Sequence, residues 1–242
     1  MRISVCIPAY NEAEVIADTV QEAADVLAGI PGEHEILVVD DGSSDATWAI
    51  LEATAERQPL LRPLRHERNR GNPAALKTLV EAARGDVVFH IGADRESKMS
   101  ELPRMLEVLE AGNDIVIGVR RDKQYTPWRK FVSGVYNWLV ALLWGRHFGD
   151  LGSIKLARAS LWKRIPFDTS SVFMNAERIL IAHRSGARIA TVRVDHVGRA
   201  TGKSSYGGPG QALRAFWGLL RFRFSRRSRT RVPLDAPHAE AR

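Results

Sequence analysis

Short apolar runs alternate with amphipathic stretches through the first half of the chain, and this alternation constrains the fold more than any other feature. The runs at 3–8, Glu35–Asp40, Asp86–Ile91 and Asp114–Val119, with a weaker one at 61–65, read as buried strands. Between them, 12–28, 45–57, 73–84 and 101–111 carry helical spacing. Pro73 is placed for a first helical turn, and Asp45 and Ser100 are placed to cap. Strands hidden on both faces and joined by helices predict an α/β domain on a mostly parallel, doubly wound sheet. Ligands in such sheets bind beyond the carboxyl ends of the strands, so chemistry is expected where each run stops.

From residue 128 the pattern changes. A long aromatic-rich helix is predicted over 128–146, carrying Trp128, Phe131, Tyr136, Trp138 and Trp144. Strands are predicted at 152–157 and 188–194, with a helix at 175–185 between them. The glycine-rich break at 206–210 precedes an amphipathic helix at 211–224, where Leu213, Phe216, Trp217, Leu220 and Phe224 follow helical spacing and Arg214 and Arg221 lie off that stripe. Arg223, Arg226, Arg227, Arg229 and Arg231 follow, and no acidic residue falls between 203 and 234. A basic amphipathic helix with aromatic anchors suits an anionic membrane surface, here over 211–231; packing of aromatic segments on the body is the competing reading.

Charge sharpens that division. Residues 203–242 hold nine Lys/Arg against two Asp/Glu, which is the whole formal excess of +7. A neutral body speaks against nucleic acid as a partner, because a basic footprint would cover the folded face. The lone cysteine, Cys6, lies in a predicted strand and has no internal disulfide partner. The N-terminal apolar stretch stops at Pro8, and no run reaches the ~18 apolar residues of a membrane span. A cytoplasmic location with peripheral membrane association is expected.

The strand ends carry a consistent chemistry. The first run closes on Pro8-Ala9-Tyr10-Asn11-Glu12 and the second on Asp40-Asp41-Gly42-Ser43-Ser44-Asp45. The third runs into Gly92-Ala93-Asp94-Arg95-Glu96 and the fourth ends in Gly118-Val119-Arg120-Arg121. Carboxylates accept from base N–H groups and ribose hydroxyls, hard oxygens suit Mg²⁺ or Mn²⁺ on phosphates, and guanidinium forks match phosphate oxygens. Neither G-x-G-x-x-G nor G-x-x-x-x-G-K-[ST] is present, so a diphosphate here must be neutralised by side chains or a metal.

Taken together, Val5 to Glu12, Val38 to Thr47, Asn69 to Leu76 and Ala83 to Asp86 closely resemble a family-2 glycosyltransferase of the GT-A, Rossmann-like fold. The later half resembles the polyprenol- or dolichol-phosphate sugar synthase branch, through Asp114 to Arg120, Arg129-Lys130, Asp150 and His196 to Ser204. The resemblance covers about 3–206. It implies a GT-A domain over 1–206; beyond it, the apolar stripe and the Arg-, Ser- and Pro-rich composition predict an amphipathic membrane-surface helix at 207–225 and a disordered basic tail at 226–242.

The same resemblance implies that Pro8, Tyr10, Glu12, Val39, Asp41 and Ala93 hold the nucleotide of a GDP-mannose or UDP-sugar donor. Asp94 would face the diphosphate and a Mg²⁺ or Mn²⁺ ion, with Glu96 as a further metal oxygen. Arg120 and Arg129 would meet the donor diphosphate or the acceptor phosphate, and Glu177 would lie beneath the site. Lys155, Arg199 and Lys203, with Arg129, would orient a polyprenyl phosphate acceptor. The chain departs from the family pattern at Gly92, which replaces the first carboxylate of the acidic motif, and at Lys155, which replaces an arginine. It departs also at Asn72 and Ser205, each in place of a lysine. Three functions stay open at this point: an inverting transferase acting on lipid phosphate, one acting on a soluble hydroxyl with Glu177 or Glu96 as base, and a catalytically weakened nucleotide-sugar binder.

Overall fold

The computed structural model describes residues 1–120, 127–171, 174–195 and 209–234. Seven strands form one sheet: β1 (Ile3–Ala9), β2 (Glu35–Asp40), β3 (Leu61–Arg65), β4 (Val87–His90), β5 (Ile115–Arg120), β6 (Lys155–Arg158) and β7 (Ile189–Val194). Their order is β3-β2-β1-β4-β6-β5-β7. All neighbours are parallel except those of β6, which runs against both β4 and β5. The helices are α1 (Ile16–Ala28), α2 (Thr47–Ala55), α3 (Asn72–Ala82), α4 (Leu102–Glu110), α5 (Pro127–Trp144), α6 (Ala159–Arg164), α7 (Met174–Arg184) and α8 (Pro209–Phe224).

Alternation along β1 explains the layers. Ile3, Val5 and Ile7 pack with Ile16 and Val20 of α1 and Leu102 and Met105 of α4. Cys6 faces the other way, with Leu37 and Val39 of β2 and Ala75 and Leu79 of α3. Each such side chain removed from water contributes roughly 1.5–3 kcal/mol. From β1 the chain moves outward through β2 and β3, then returns to the opposite side of β1 as β4. That reversal opens a crevice at the carboxyl ends of β1 and β4, the usual ligand position in open α/β sheets.

Helix α8 lies along α5, with the Trp144 and Phe222 rings stacked at 6.0 Å and Tyr136 edge-on to Phe216 at 6.3 Å. Leu219 and Phe222 enter the core, while Trp217, Leu220 and Phe224 face outward. The expectation of a disordered tail is corrected for 226–234. Arg226–Arg229 form a 3₁₀ turn, Ser228 and Val232 are buried, and the Val232 N–H donates to Ser185 Oγ at 2.9 Å. This segment stays put because Arg227 pairs with Asp168 and with Glu177 on α7. No helix among the described residues is long and apolar enough to cross a membrane.

Candidate active site

The ends of β1 and β2 are laced together by short polar side chains. Asn11 takes a left-handed backbone (φ 54°); its N–H donates to Ser43 Oγ at 2.9 Å, and its side-chain oxygen accepts from the Ser44 N–H at 2.9 Å. The Glu12 N–H donates to Thr47 Oγ1 at 2.9 Å. Burial works to raise the Asp45 carboxyl, but it accepts from the Thr47 hydroxyl at 2.5 Å, the Thr47 N–H at 3.0 Å and the Ala13 N–H at 3.2 Å, and these bonds hold it below its ordinary range. Pro8 and Glu12 are half-buried beside an exposed Tyr10.

Two of the expected nucleotide residues are engaged inside the protein. The Val39 side chain is fully buried against α3 in the core. Asp41 is 3% exposed, and both its oxygens are engaged inside the protein. Oδ1 accepts from His66 Nδ1 at 2.6 Å and from the Arg70 N–H at 3.0 Å; Oδ2 accepts from the Gly71 N–H at 2.7 Å. Asp41 thereby fixes the 66–71 segment that leads into α3. Gly42 (φ 71°) seals the contact, because any Cβ there would overlap the Arg68–Asn69 backbone.

Across the crevice, the turn after β4 is tied to α1. Thr19 Oγ1 donates to the Ala93 carbonyl at 3.1 Å, and the Arg95 guanidinium lies 3.4 Å from Asp18 and 3.5 Å from Glu22. Ala93 is buried, so its part in the site is that carbonyl anchor. Asp94 Oδ1 accepts from the Glu96 N–H at 3.3 Å. At the end of β5, Arg120 makes a two-pronged contact with Asp150: Nε to Oδ2 at 2.8 Å and Nη2 to Oδ1 at 3.1 Å. Its Nη1 reaches Glu96 Oε2 at 3.4 Å. The structure thus brings Asp94, Glu96 and Arg120 together, as the strand-end rule anticipates, and adds Asp150, whose role as the holder of Arg120 the sequence did not reveal. His66 was also missed; applying the strand-end rule to β3 would have found it.

Lys155 and Glu177 are both buried. Lys155, expected at the acceptor phosphate, is 1% exposed on β6, and its ammonium donates to the Ser153 carbonyl at 2.6 Å. Burial, together with the charges of Arg120 and Arg178 and against that of Asp150, brings it down to about 7. Glu177 is buried on α7 rather than open to the crevice; it accepts from Ser171 Oγ at 2.7 Å and pairs with Arg227 at 2.9 Å. Burial raises its carboxyl above the ordinary range, against the lowering effect of Ser171 and Arg227. Beside it, Arg178 is buried between the Trp162 and Phe167 rings, 3.8 and 3.7 Å from their centroids. Arg199 and Lys203, with His196, lie outside the described residues, as does the side chain of Arg129 on α5.

Among the described residues no cluster of three or more His, Cys, Asp or Glu is placed to hold a metal. Asp94 and Glu96 supply hard oxygens from one turn. That set fits a Mg²⁺-type ion completed by phosphate oxygens, which commonly takes only one or two protein carboxylates.

The family model for glycosyl transferase family 2 matches residues 4–180. The chain belongs to this family. Its seven-stranded, mostly parallel sheet flanked by helices is the GT-A fold. It is 32% identical over 208 residues to an undecaprenyl-phosphate 4-deoxy-4-formamido-L-arabinose transferase of Pseudomonas syringae, covering 84% of this chain and 60% of that protein. The transferase of the same name from Edwardsiella ictaluri is 29% identical over 208 residues, covering 85% and 63%. This chain therefore spans about 60% of the length of those relatives. Among solved structures, glucosyl-3-phosphoglycerate synthase from Mycobacterium tuberculosis, in complex with Mn²⁺, UDP and phosphoglyceric acid, superposes with a TM-score of 0.71 at 20% identity, covering 92% of this chain and 78% of that one. A mannosyltransferase from Pyrobaculum calidifontis in complex with GDP-Man and Mn²⁺ gives 0.65 at 22%, covering 84% and 58%. At such identities the likeness establishes the shared fold.

Proposed function

We propose that this glycosyltransferase moves a sugar, with inversion, from a nucleotide-diphosphate donor to a polyprenyl phosphate at a membrane surface. The observation that carries the lipid reading is the outward face of α5 and α8. It displays Trp128, Phe131, Trp138 and Leu142 on one helix and Trp217, Leu220 and Phe224 on the other, with Phe224 80% and Trp217 66% exposed. Exposed Arg221, Arg223, Arg226, Arg229 and Arg231 lie in the same segment as the α8 aromatics. Exposed aromatic side chains in a cation-rich segment suit the headgroup level of an anionic bilayer. The undecaprenyl-phosphate transferases that resemble the chain support the same acceptor class.

The donor occupies the crevice between β1 and β4, its nucleoside against Pro8, Tyr10 and Glu12 and its diphosphate toward Asp94 and Arg120. A Mg²⁺ or Mn²⁺ ion held by Asp94 and Glu96 would supply charge neutralisation at the diphosphate. The acceptor phosphate is already an anionic nucleophile. Its oxygen bonds to the anomeric carbon while the bond from that carbon to the β-phosphate oxygen breaks, and the nucleoside diphosphate leaves with the electron pair. Alignment and stabilisation of the leaving group are then the protein's contribution, and no general base is required. A hydroxyl acceptor would need one. The burial of Glu177 against Arg227 leaves it poorly placed for that role.

The test is transfer from radiolabelled UDP- and GDP-sugars to polyprenyl phosphate in anionic liposomes. Lipid-linked product is expected, and labelling of water-soluble acceptors alone would overturn the assignment. Trp217→Ala and Phe224→Ala should each weaken vesicle binding roughly ten- to a hundredfold, at about 1.5–3 kcal/mol per buried aromatic. Unchanged partitioning of both variants would remove the proposed docking face.

A further inference from the structure

The chain beyond α8 stays on the body as a strap. After Phe224 it turns, with the Ser228 hydroxyl donating to the Arg223 carbonyl at 2.9 Å. It then follows α7 from its first turn, where Arg227 lies 2.9 Å from Glu177 and also pairs with Asp168. Just past the end of α7 the Val232 N–H donates to Ser185 Oγ at 2.9 Å, and the Arg164 guanidinium donates to the Pro233 carbonyl at 3.1 Å. Asp168 and Arg227 are half-buried, but Glu177 is 3% exposed. A carboxylate so placed needs a countercharge, and the strap delivers it.

Helix α8 itself meets α5 through aromatic and apolar contacts, with Leu219 and Phe222 turned inward and the Trp144–Phe222 and Tyr136–Phe216 ring pairs along the seam. Its other face shows Trp217, Leu220 and Phe224. In water the apolar seam drives α8 onto α5. Beside a bilayer that drive fades, because lipid tails cover Leu and Phe as well as another helix does. The ion pair to Glu177 does not fade in this way: lifting the strap strips the cation from a carboxylate that remains inside the body, whatever surrounds α8.

We propose that Glu177 and Arg227 form a latch that keeps α8 on the body once the protein is docked on a membrane, holding the docking face and the crevice in one fixed relation. The inference rests on the reading above, in which α8 meets an anionic bilayer. Glu177 is then a positioning residue for a lipid-borne acceptor. Its loss leaves the nucleotide crevice intact and lets α8 part from the body on the membrane, so that the acceptor phosphate no longer lines up with the donor.

The experiment is amide hydrogen exchange over 226–234 in the whole chain, free in solution and bound to vesicles of phosphatidylglycerol and phosphatidylcholine. Wild type should protect the Val232 amide equally in both. Glu177→Gln conserves shape and removes the charge; exchange at Val232 should quicken about tenfold on vesicles, the effect of roughly one charge-assisted hydrogen bond, and less than about threefold in solution. Arg227→Met should behave alike, and the double variant should be no worse than either single one, because removing both partners strands no charge. Arg226→Met deletes a neighbouring cation, so it should weaken vesicle binding and leave exchange at Val232 unchanged. In Glu177→Gln, calorimetric affinity for UDP and GDP should stay at the wild-type value, while kcat/KM for polyprenyl phosphate in liposomes falls about tenfold.

Equal acceleration in solution and on vesicles would reduce the pair to an ordinary stabilising contact and overturn the inference. Additive effects in the double variant would do the same, as would undiminished lipid transfer in Glu177→Gln. A wild type that does not bind the vesicles removes the docking reading and this inference with it. A wild type that binds, with Glu177→Gln exchanging as slowly as wild type on vesicles, refutes the latch alone.

Discussion

Asp41→Asn distinguishes two roles for the motif carboxylate that sequence alone cannot separate. If Asp41 chiefly holds the nucleoside, the substitution should cost nucleotide affinity and leave the apo protein almost as stable as before. The structure instead gives both oxygens to the protein, through His66 Nδ1, the Arg70 N–H and the Gly71 N–H, at 2.6, 3.0 and 2.7 Å. Hydrogen bonds to a charged acceptor contribute about 1.5–3 kcal/mol each when buried. Asparagine retains one oxygen but turns an NH₂ toward a donor at the other position, and it removes the charge from both. Arg70 and Gly71 are partly open to water, which recovers some of the loss. A net destabilisation of about 3 kcal/mol follows, within the range for breaking a buried pair. For a chain of this size that lowers the melting temperature by roughly 6–12 °C. Thermal and urea unfolding of the apo protein, followed by tryptophan fluorescence, measure it directly. A variant that melts within about 2 °C of wild type yet no longer binds nucleotide would refute the reasoning, since the Tm scale for such a chain leaves under ~1 kcal/mol for the anchored segment.

Arg120→Lys keeps the charge but cannot reproduce the paired contacts to Asp150, so affinity for UDP or GDP should fall about tenfold or more by calorimetry. Gly92→Asp restores a carboxylate whose Cβ would lie 3.0 Å from Asp94 Oδ1. Mn²⁺ affinity should rise about tenfold, and an unchanged value in a spin-resonance titration would argue against Asp94 as the metal-side carboxylate. Lys155 also sets a pH signature of stability. Its folded value of about 7 lies below the ordinary 10.5, so the unfolded chain binds the extra proton between those limits. Wild-type stability should therefore gain up to about 1.4 kcal/mol per pH unit as pH rises above 7, whereas Lys155→Met should lack that slope. Parallel unfolding curves for the two proteins from pH 7 to pH 9 would contradict the burial of the ammonium.

Some elements were legible because one physical rule governs them. The parallel strands β1, β2, β4 and β5 announce themselves as apolar runs, since a strand covered on both faces has no polar side to show. A strand is expected at 152–157 and β6 lies at Lys155–Arg158, but its direction is set by the neighbours it meets, β4 and β5. Helix α6 was missed because six residues are too few to show a period. Helix α1 begins at Ile16 rather than at 12; Glu12 and Ala13 instead lie in the rim turn, their N–H groups donating across it to Thr47 and Asp45. Ser100 does not cap: it lies inside the 3₁₀ turn Met99–Glu101, and no side chain caps that turn or the start of α4. These are tertiary bonds, and local spacing carries no trace of them.

The site divides along the same line. Asp94, Glu96 and Arg120 were legible because each directly ends or follows a strand, and the sheet itself aligns the ends. Lys155 and Glu177 lie inside layers, where a motif position gives the residue but not its burial. The tail makes the point with charge. Charge counting treats Arg227 like Arg223, Arg226, Arg229 and Arg231, yet a half-buried Arg227 meets Asp168 and Glu177 while the other four face outward. The difference originates on α7: a carboxylate buried like Glu177 must be neutralised or paired, and the tail residue that reaches it is withdrawn from the surface charge. Any count of the cations available to lipid therefore begins from the burial of Glu177 and Asp168, and not from the composition of the tail.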